Sequence, residues 1–295
     1  MESTLRDFFF GPGPIVWFQE VLEPVGPVPF RALSLLGDIW GLLLVLGLAF
    51  WFWGPDTLYV LLPLVVIEGV SYLGLNGIFP IPRPSADSVT QYETLSISAF
   101  PSGHTYLTTI LWGFLYQRDR IPLAAAAAAV LGVAVGRFFL GVHNLGDIVG
   151  GVVLGAAVVA LYSAVSPALM AQLRRASWRG YLVAGAALTI AWPLVFSVPS
   201  ENPRRVAVMA IVAILLLALP LEKAFIRFRG CRRDVPARAA CFATGFFGLA
   251  LCYAAEQLLP GSNTLTAVAA ATATLWVVVA TPILARWSGL ERWSS

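Results

Sequence analysis

The sequence predicts an all-α fold, a polytopic transmembrane helical bundle of about nine spans. Three observations predict it. The 295 residues are 58% hydrophobic and only 12% charged, against about 25% charged in soluble domains. Long apolar runs recur from residue 31 to residue 285, and runs of that kind cross the hydrocarbon core of a bilayer. Lipid offers no partner to an unpaired backbone N–H or C=O, so each run is expected to be helical.

Residues 1–30 set Phe8, Phe9, Phe10, Trp17 and Phe18 among acids and prolines, the pattern of a segment lying along the membrane surface. Asp7 and the break Gly11-Pro12-Gly13-Pro14 fall where a cleavable signal would keep an uninterrupted apolar stretch. Targeting is therefore expected to rest on the first span. Spans are expected over 31–53, 57–75, 102–117, 121–138, 147–168, 180–198, 206–221, 237–259 and 264–285. The longest loop able to hold chemistry is 76–100, where Pro80, Pro82 and Pro84 stop a helix and stiffen the chain. The fourth span carries Ala124 to Ala129 and Gly132-x3-Gly136, and the fifth carries Gly151-x3-Gly155. Small residues at that spacing let helix backbones approach closely. The expected organisation is an interfacial N-terminal segment (1–30), a transmembrane core holding the motifs below (31–168) and additional transmembrane helices (169–295).

Cys231, Cys241 and Cys252 make neither a disulfide framework nor a metal spacing and are expected to be small apolar fillers. Trp40, Trp51 and Trp53 suggest interface belts. Asp38, Glu68 and Glu256 are acids within apolar spans. Glu68, about two turns before Asn76, either lines a substrate cavity or pairs with Ser71 or Tyr72.

Alternating crossings put residues 1–30 and loops 76–100, 139–146, 199–205 and 260–263 on one face, which with Arg31 and Arg137 at the adjoining span ends carries six of the 19 lysines and arginines. The basic excess on the other face marks the cytoplasmic side. Loop 76–100 is then extracytoplasmic and the C-terminus cytoplasmic, in a multi-pass protein of the cell membrane. The net charge is only +3 with no long basic block, so no nucleic-acid surface is expected.

The chain has only two histidines, residues able to act as nucleophile or proton donor near neutral pH. One is in Pro101-Ser102-Gly103-His104, the other in Arg137-x5-His143-x3-Asp147. With Arg83-Pro84, these motifs resemble the three signatures of the type 2 phosphatidic acid phosphatase family, which vanadium haloperoxidases share. The resemblance covers roughly residues 57–168. Two positions depart from it: Asn76 stands where the first signature opens with Lys, and Gly136 where the third has Ser.

Phosphoryl transfer needs an in-line nucleophile, an acid for the leaving oxygen and donors around the equatorial oxygens. His143 fits the nucleophile. Asp147, four residues on, shares its helical face and can hold one ring nitrogen while the other attacks; it also fits a helix cap. The resemblance implies His104 as general acid, and as base when water cleaves the phosphohistidine. Arg83 and Arg137 can grip phosphate oxygens through planar forks of donors, a snorkelling role being the alternative for Arg83. Ser102 and Gly103 open a helix whose N–H groups favour an anion, although Ser102 also fits a simple N-cap. Asn76 can donate to phosphate without a charge. Charge-assisted contacts are about twice as strong, so a weaker or rearranged clamp is expected. No cofactor is expected, and no metal, since Arg83 and Arg137 would repel a cation held at the histidines.

The resemblance implies a metal-independent phosphoric ester or diphosphate hydrolase of the membrane, working through a phosphohistidine on the extracytoplasmic face. The substrate class that follows is a phosphorylated lipid, either a polyprenyl diphosphate (undecaprenyl or dolichyl) or a phosphatidic acid-type phosphomonoester. Its partners are that substrate and the membrane lipids. Two alternatives stand beside it: a phosphatase for a soluble sugar phosphate, similar in helix count to the glucose-6-phosphatase branch, and a non-catalytic lipid-binding or lipid-transport protein.

Overall fold

The computed structural model describes residues 2–95, 98–175, 177, 179–180, 182–183, 186–187, 203–258 and 262–292. Helices dominate, no strand occurs among the described residues, and a single antiparallel bridge joins Cys231 to Glu291. Two short helices, α1 (Glu2–Phe10) and α2 (Gly13–Leu22), come first. The expected span 31–53 is a bent pair, α3 (Val28–Ser34) and α4 (Ile39–Trp53), with a 55° bend between them. A 3₁₀ turn over Leu35–Gly37 stops α3. Asp38 is then extended, and its Oδ1 accepts the Ile39 N–H at 2.7 Å. The acid inside this span therefore restarts the helix as a cap.

The remaining helices are α5 (Pro55–Ile78), α6 (Gly103–Gln117), α7 (Leu123–Phe139), α8 (Leu145–Arg175), α9 (Pro203–Leu221), α10 (Val235–Leu258), α11 (Asn263–Leu275) and α12 (Thr281–Trp287). A π turn over Glu222–Ile226 extends α9, just after Pro220. A second, over Trp276–Ala280, joins α11 to α12. Proline removes a ladder hydrogen bond, and wide turns are one way a helix absorbs the loss.

Among the described residues five helices are long and apolar enough to cross a membrane, or six if the bent pair is one span. The expected nine are not confirmed. Helices α6 and α7 have 15 and 17 residues, roughly 22–25 Å of rise against about 30 Å of hydrocarbon. The expected span 180–198 lies largely outside the described residues. Helix α8 exposes Val149, Val153, Leu161 and Val165, a stripe at four-residue spacing that a water-soluble helix would fill with polar groups. The several long apolar helices make this a multi-pass membrane protein.

The chain forms two units. The first comprises Met1–Leu42 and Ile67–Val165. Within it α6 packs on α7 and on the Leu35–Gly37 turn, and α7 packs on α3 and α2. The small-residue faces are where backbones meet. A Cβ on Gly136 would lie 2.7 Å from the Phe30 carbonyl oxygen, and one on Gly155 would lie 2.9 Å from Thr109 Cβ of α6. Phe30, Phe139, Leu140 and Val142 form an apolar cluster. Phe139 stacks on Phe30 at 3.8 Å and on Tyr92 of the long loop at 5.5 Å. The N-terminal helices join this unit: Gln19 Nε2 donates to the carbonyls of Thr90 and Phe139, both at 2.7 Å.

The second unit comprises Leu43–Val66 and Ser166–Ser295. Trp51 is fully buried there, and its Nε1 donates to the Val277 carbonyl at 3.0 Å. It lies against Gly47 and Gly245, which leave room for the indole. Trp51 is thus a core residue and not part of an interface belt. The cysteine expectation is also corrected: Cys231 and Cys241 are disulfide-bonded, while Cys252 is free. The disulfide links the segment before α10 to the second turn of that helix.

Candidate active site

The site is built at the junction of loop 79–102, the start of α6, the end of α7 and the start of α8, all in the first unit. Prolines 80, 82 and 84 keep the chain after α5 non-helical. Arg83 projects from this segment toward the α7–α8 connection. Its Nη1 donates to the Val142 carbonyl at 2.7 Å and lies 3.3 Å from His143 Nε2, while Nη2 donates to the Ser98 carbonyl at 3.3 Å. Burial is the main influence on Arg83, lowering its pKa to about 10. Tyr72, Asp147 and Glu93 act to raise it, and the Arg137 charge lowers it further. The guanidinium stays cationic at neutral pH, and both arginines belong to one electrostatic neighbourhood.

His143 is buried, with Nδ1 3.8 Å from Asp147 Oδ2. The same oxygen accepts the Asn144 N–H at 2.8 Å. A side chain in the first turn reaching back to the backbone before the helix is half of a capping box. The carboxylate thus caps the helix while lying beside the His143 ring. The main-chain carbonyl of Asp147 accepts the Ser102 N–H at 3.0 Å, which fastens the start of α8 to the turn that begins α6.

At that turn the peptide Phe100–Pro101 is cis. Ser102 is buried but does not cap α6; its Oγ accepts the Thr105 hydroxyl at 2.8 Å. Gly103 also makes room for Tyr72, because a Cβ there would lie 2.7 Å from the Tyr72 ring. His104 follows in the first turn of α6, and its carbonyl accepts the Thr108 hydroxyl at 2.7 Å. Its main chain lies against Gly37, where a Cβ would come within 2.7 Å of that carbonyl oxygen. Asn76 is buried near the end of α5, and Nδ2 donates to the Phe100 carbonyl at 3.1 Å. One of the two N–H donors of its amide thus supports the turn that leads into Pro101-Ser102-Gly103-His104.

Arg137 is buried at the end of α7, and its Nη1 pairs with Glu93 Oε2 at 2.7 Å. Sequence reasoning missed Glu93, which sits in a loop with no period to mark it. Its neighbour Tyr92 anchors it by stacking on Phe139, by donating its N–H to the Leu140 carbonyl at 3.1 Å and by accepting from Arg31 at 3.0 Å. The N-terminal segment also contributes. A cavity of about 960 Å³ is bounded by Arg6 and Phe10 of α1, by Pro80 and Pro82, and by Asn144. Two of its walls, Pro82 and Asn144, adjoin Arg83 and His143 in sequence. Among the described residues no group of three or more His, Cys, Asp or Glu could hold a metal ion.

Residues 57–171 match the family model of the PAP2 superfamily. This chain carries a PAP2 superfamily domain. No curated protein and no solved structure matches the chain. The PAP2 match runs from α5 into α8 and contains all eight residues singled out from the motifs. A PAP2 domain in a chain of long apolar helices supports a membrane phosphatase, a phosphoric ester hydrolase.

Proposed function

We propose that the protein hydrolyses a phosphorylated lipid at the extracytoplasmic face of the cell membrane, through a phosphohistidine on His143. The observation that carries the reading is the line Asp147–His143–Arg83. With Nδ1 facing a carboxylate and Nε2 facing a guanidinium, the favoured tautomer puts the proton on Nδ1 and the lone pair on Nε2. That assignment is made from the neighbours. The lone pair faces Arg83 Nη1 at 3.3 Å, so a phosphoryl group would enter between the two by drawing the guanidinium onto its own oxygens.

In the first step Nε2 of His143 attacks phosphorus. The N–P bond forms, the P–O bond to the leaving group breaks, and the electron pair stays on that oxygen. His104 gives it a proton. In the second step water attacks phosphorus, His104 accepts the water proton, and the P–N bond breaks to release phosphate. Arg83, Arg137 and the N–H groups opening α6 would balance the charge on the equatorial oxygens. This arrangement calls for no divalent ion, so chelators should leave turnover unchanged. Arg137 becomes available when substrate phosphate displaces Glu93. Asn76 supports the turn before Ser102 with one amide N–H and can offer the other, uncharged, to phosphate beside the two arginines.

A polyprenyl diphosphate is the favoured substrate and a phosphatidic acid-type phosphomonoester the next. The apolar outward stripe of α8 begins at the helix end that carries Asp147, so an amphiphile could reach the site sideways from lipid. The test is phosphate release by the purified protein across a panel of polyprenyl diphosphates, phosphatidic acid and soluble sugar phosphates, with vanadate as inhibitor. Lipid phosphates should be cleaved, vanadate should inhibit, and His143→Ala should abolish release. Faster cleavage of sugar phosphates would favour the soluble-substrate reading. Lipid binding or flux that survives His143→Ala, with no phosphate released by the wild type, would favour a non-catalytic protein.

A further inference from the structure

The two chemical steps assign no part to Tyr72. This residue lies on α5, four positions before Asn76, and residues at that spacing share one face of a helix. Asn76 brings the clamp an amide but no charge, and the same face carries a phenol one turn away. Tyr72 is buried. Its ring stacks beside Tyr106 of α6, with centroids 6.5 Å apart and planes at 27°. Its polar end reaches the opening of α6: a Cβ on Gly103 would lie 2.7 Å from Tyr72 Cζ and 2.9 Å from its hydroxyl oxygen. Gly103 thus lets the phenol end of the ring lie against the backbone that precedes His104.

Electrostatics puts the same phenol near the guanidinium. Of the neighbouring titratable groups that act on Arg83, Tyr72 acts most strongly, ahead of Arg137, Asp147 and Glu93, and such effects fall with distance. Arg83 in turn lies 3.3 Å from His143 Nε2. The hydroxyl is therefore held close to the helix opening and to Arg83, two of the groups set to receive phosphate. A packing role would ask only for a ring, since the stack with Tyr106 needs no oxygen.

We propose that the Tyr72 hydroxyl is a further phosphate-binding group, donating a hydrogen bond to an equatorial oxygen of the phosphoryl group that Arg83 holds. The assignment rests on the phosphatase reading of this site. A phenol O–H supplies one donor and two acceptor positions, and its proton turns to suit its surroundings. It can therefore keep accepting from a neighbour while giving its own proton to phosphate. A neutral donor on an anionic oxygen makes a charge-assisted bond, stronger than one between neutral groups. It also adds no charge to a site where burial already weighs on Arg83.

The test is orthovanadate binding by the full chain in neutral detergent, measured by calorimetry, with phosphate release assayed on the same preparations. Tyr72→Phe keeps the ring and removes only the oxygen. It should keep a cooperative melting curve and bind vanadate roughly tenfold more weakly, the loss expected for one hydrogen bond to a charged group. Tyr106→Phe is the comparison: its hydroxyl lies 2.6 Å from Ser71 Oγ, and its loss should leave vanadate affinity unchanged. Should Tyr72→Phe not fold, Tyr72→Met, adaptable in shape and equally without a hydroxyl, is read in the same way. Undiminished binding in a folded Tyr72 variant, or an equal loss in Tyr106→Phe, overturns the assignment and leaves the phosphatase reading standing. Vanadate binding that falls in Tyr72→Phe, in a protein that releases no phosphate, keeps the contact and overturns hydrolysis. A wild type that neither binds vanadate nor releases phosphate overturns both.

Discussion

Asp147 Oδ2 receives the Asn144 N–H and faces the His143 ring, so the two duties can be separated by experiment. In Asp147→Asn the side chain keeps an oxygen for the backbone N–H but loses the charge that holds a proton on Nδ1. Turnover should fall at least about a hundredfold, while the melting temperature moves little, because a cap contributes only about 1 kcal/mol. Glu93 gives the opposite signature. Its carboxylate sits on Arg137, the guanidinium that a substrate phosphate needs. In Glu93→Gln the concentration of vanadate for half-inhibition should fall roughly threefold or more, since a charged competitor becomes a neutral one. The melting temperature should also fall, because a buried arginine loses its counter-ion. The motif residues were legible one by one, as each carries unusual chemistry for so apolar a chain. Glu93 was not, because a lone acid in a proline-broken loop looks like solvent-facing charge until the loop's path is known. Asn76 was legible as a departure from the family pattern. Its hydrogen bond to the Phe100 carbonyl depends on a turn that local sequence does not encode.

The helices were legible from apolar runs, and their contacts partly from glycine spacing. Gly151 and Gly155 place α8 against α6, with a Cβ on Gly151 lying 2.9 Å from the Ser102 carbonyl oxygen. Gly155→Val should push α6 away and cost about 1–3 kcal/mol. Turnover should fall with stability, since the first turn of α6 carries His104. Gly74 in α5 is the control: nothing lies within 4 Å of a Cβ there, so Gly74→Ala should melt as the wild type does. Helix lengths were less legible. A run such as 102–117 reads as a span, yet α6 buries Thr105, Tyr106, Thr108 and Ile110 within the first unit, and a helix clothed by protein is released from matching the bilayer. The fate of Trp51 was illegible for a related reason. The space that receives its ring is shared by Gly47 and Gly245, nearly two hundred positions apart in sequence.

For the molecule as a whole, composition was enough to predict a membrane protein, and the apolar outward face of α8 agrees with it. Sidedness rests on counting basic residues, and it has a direct check. A cysteine in place of Ser85, introduced into a cysteine-free background, should react with a membrane-impermeant maleimide on intact cells. One in place of Arg233 should react only after permeabilisation. The reverse pattern would put the proposed chemistry in the cytoplasm and remove the reason for favouring a polyprenyl diphosphate.

The double employment of the Asp147 carboxylate also bears on how related sequences are interpreted. A lineage that abandoned hydrolysis would still require an acceptor for the amide that opens the helix. An aspartate retained there without its imidazole neighbour would be masonry, not a vestige of enzymology. Inventories of active and inactive relatives should therefore be scored on the histidine.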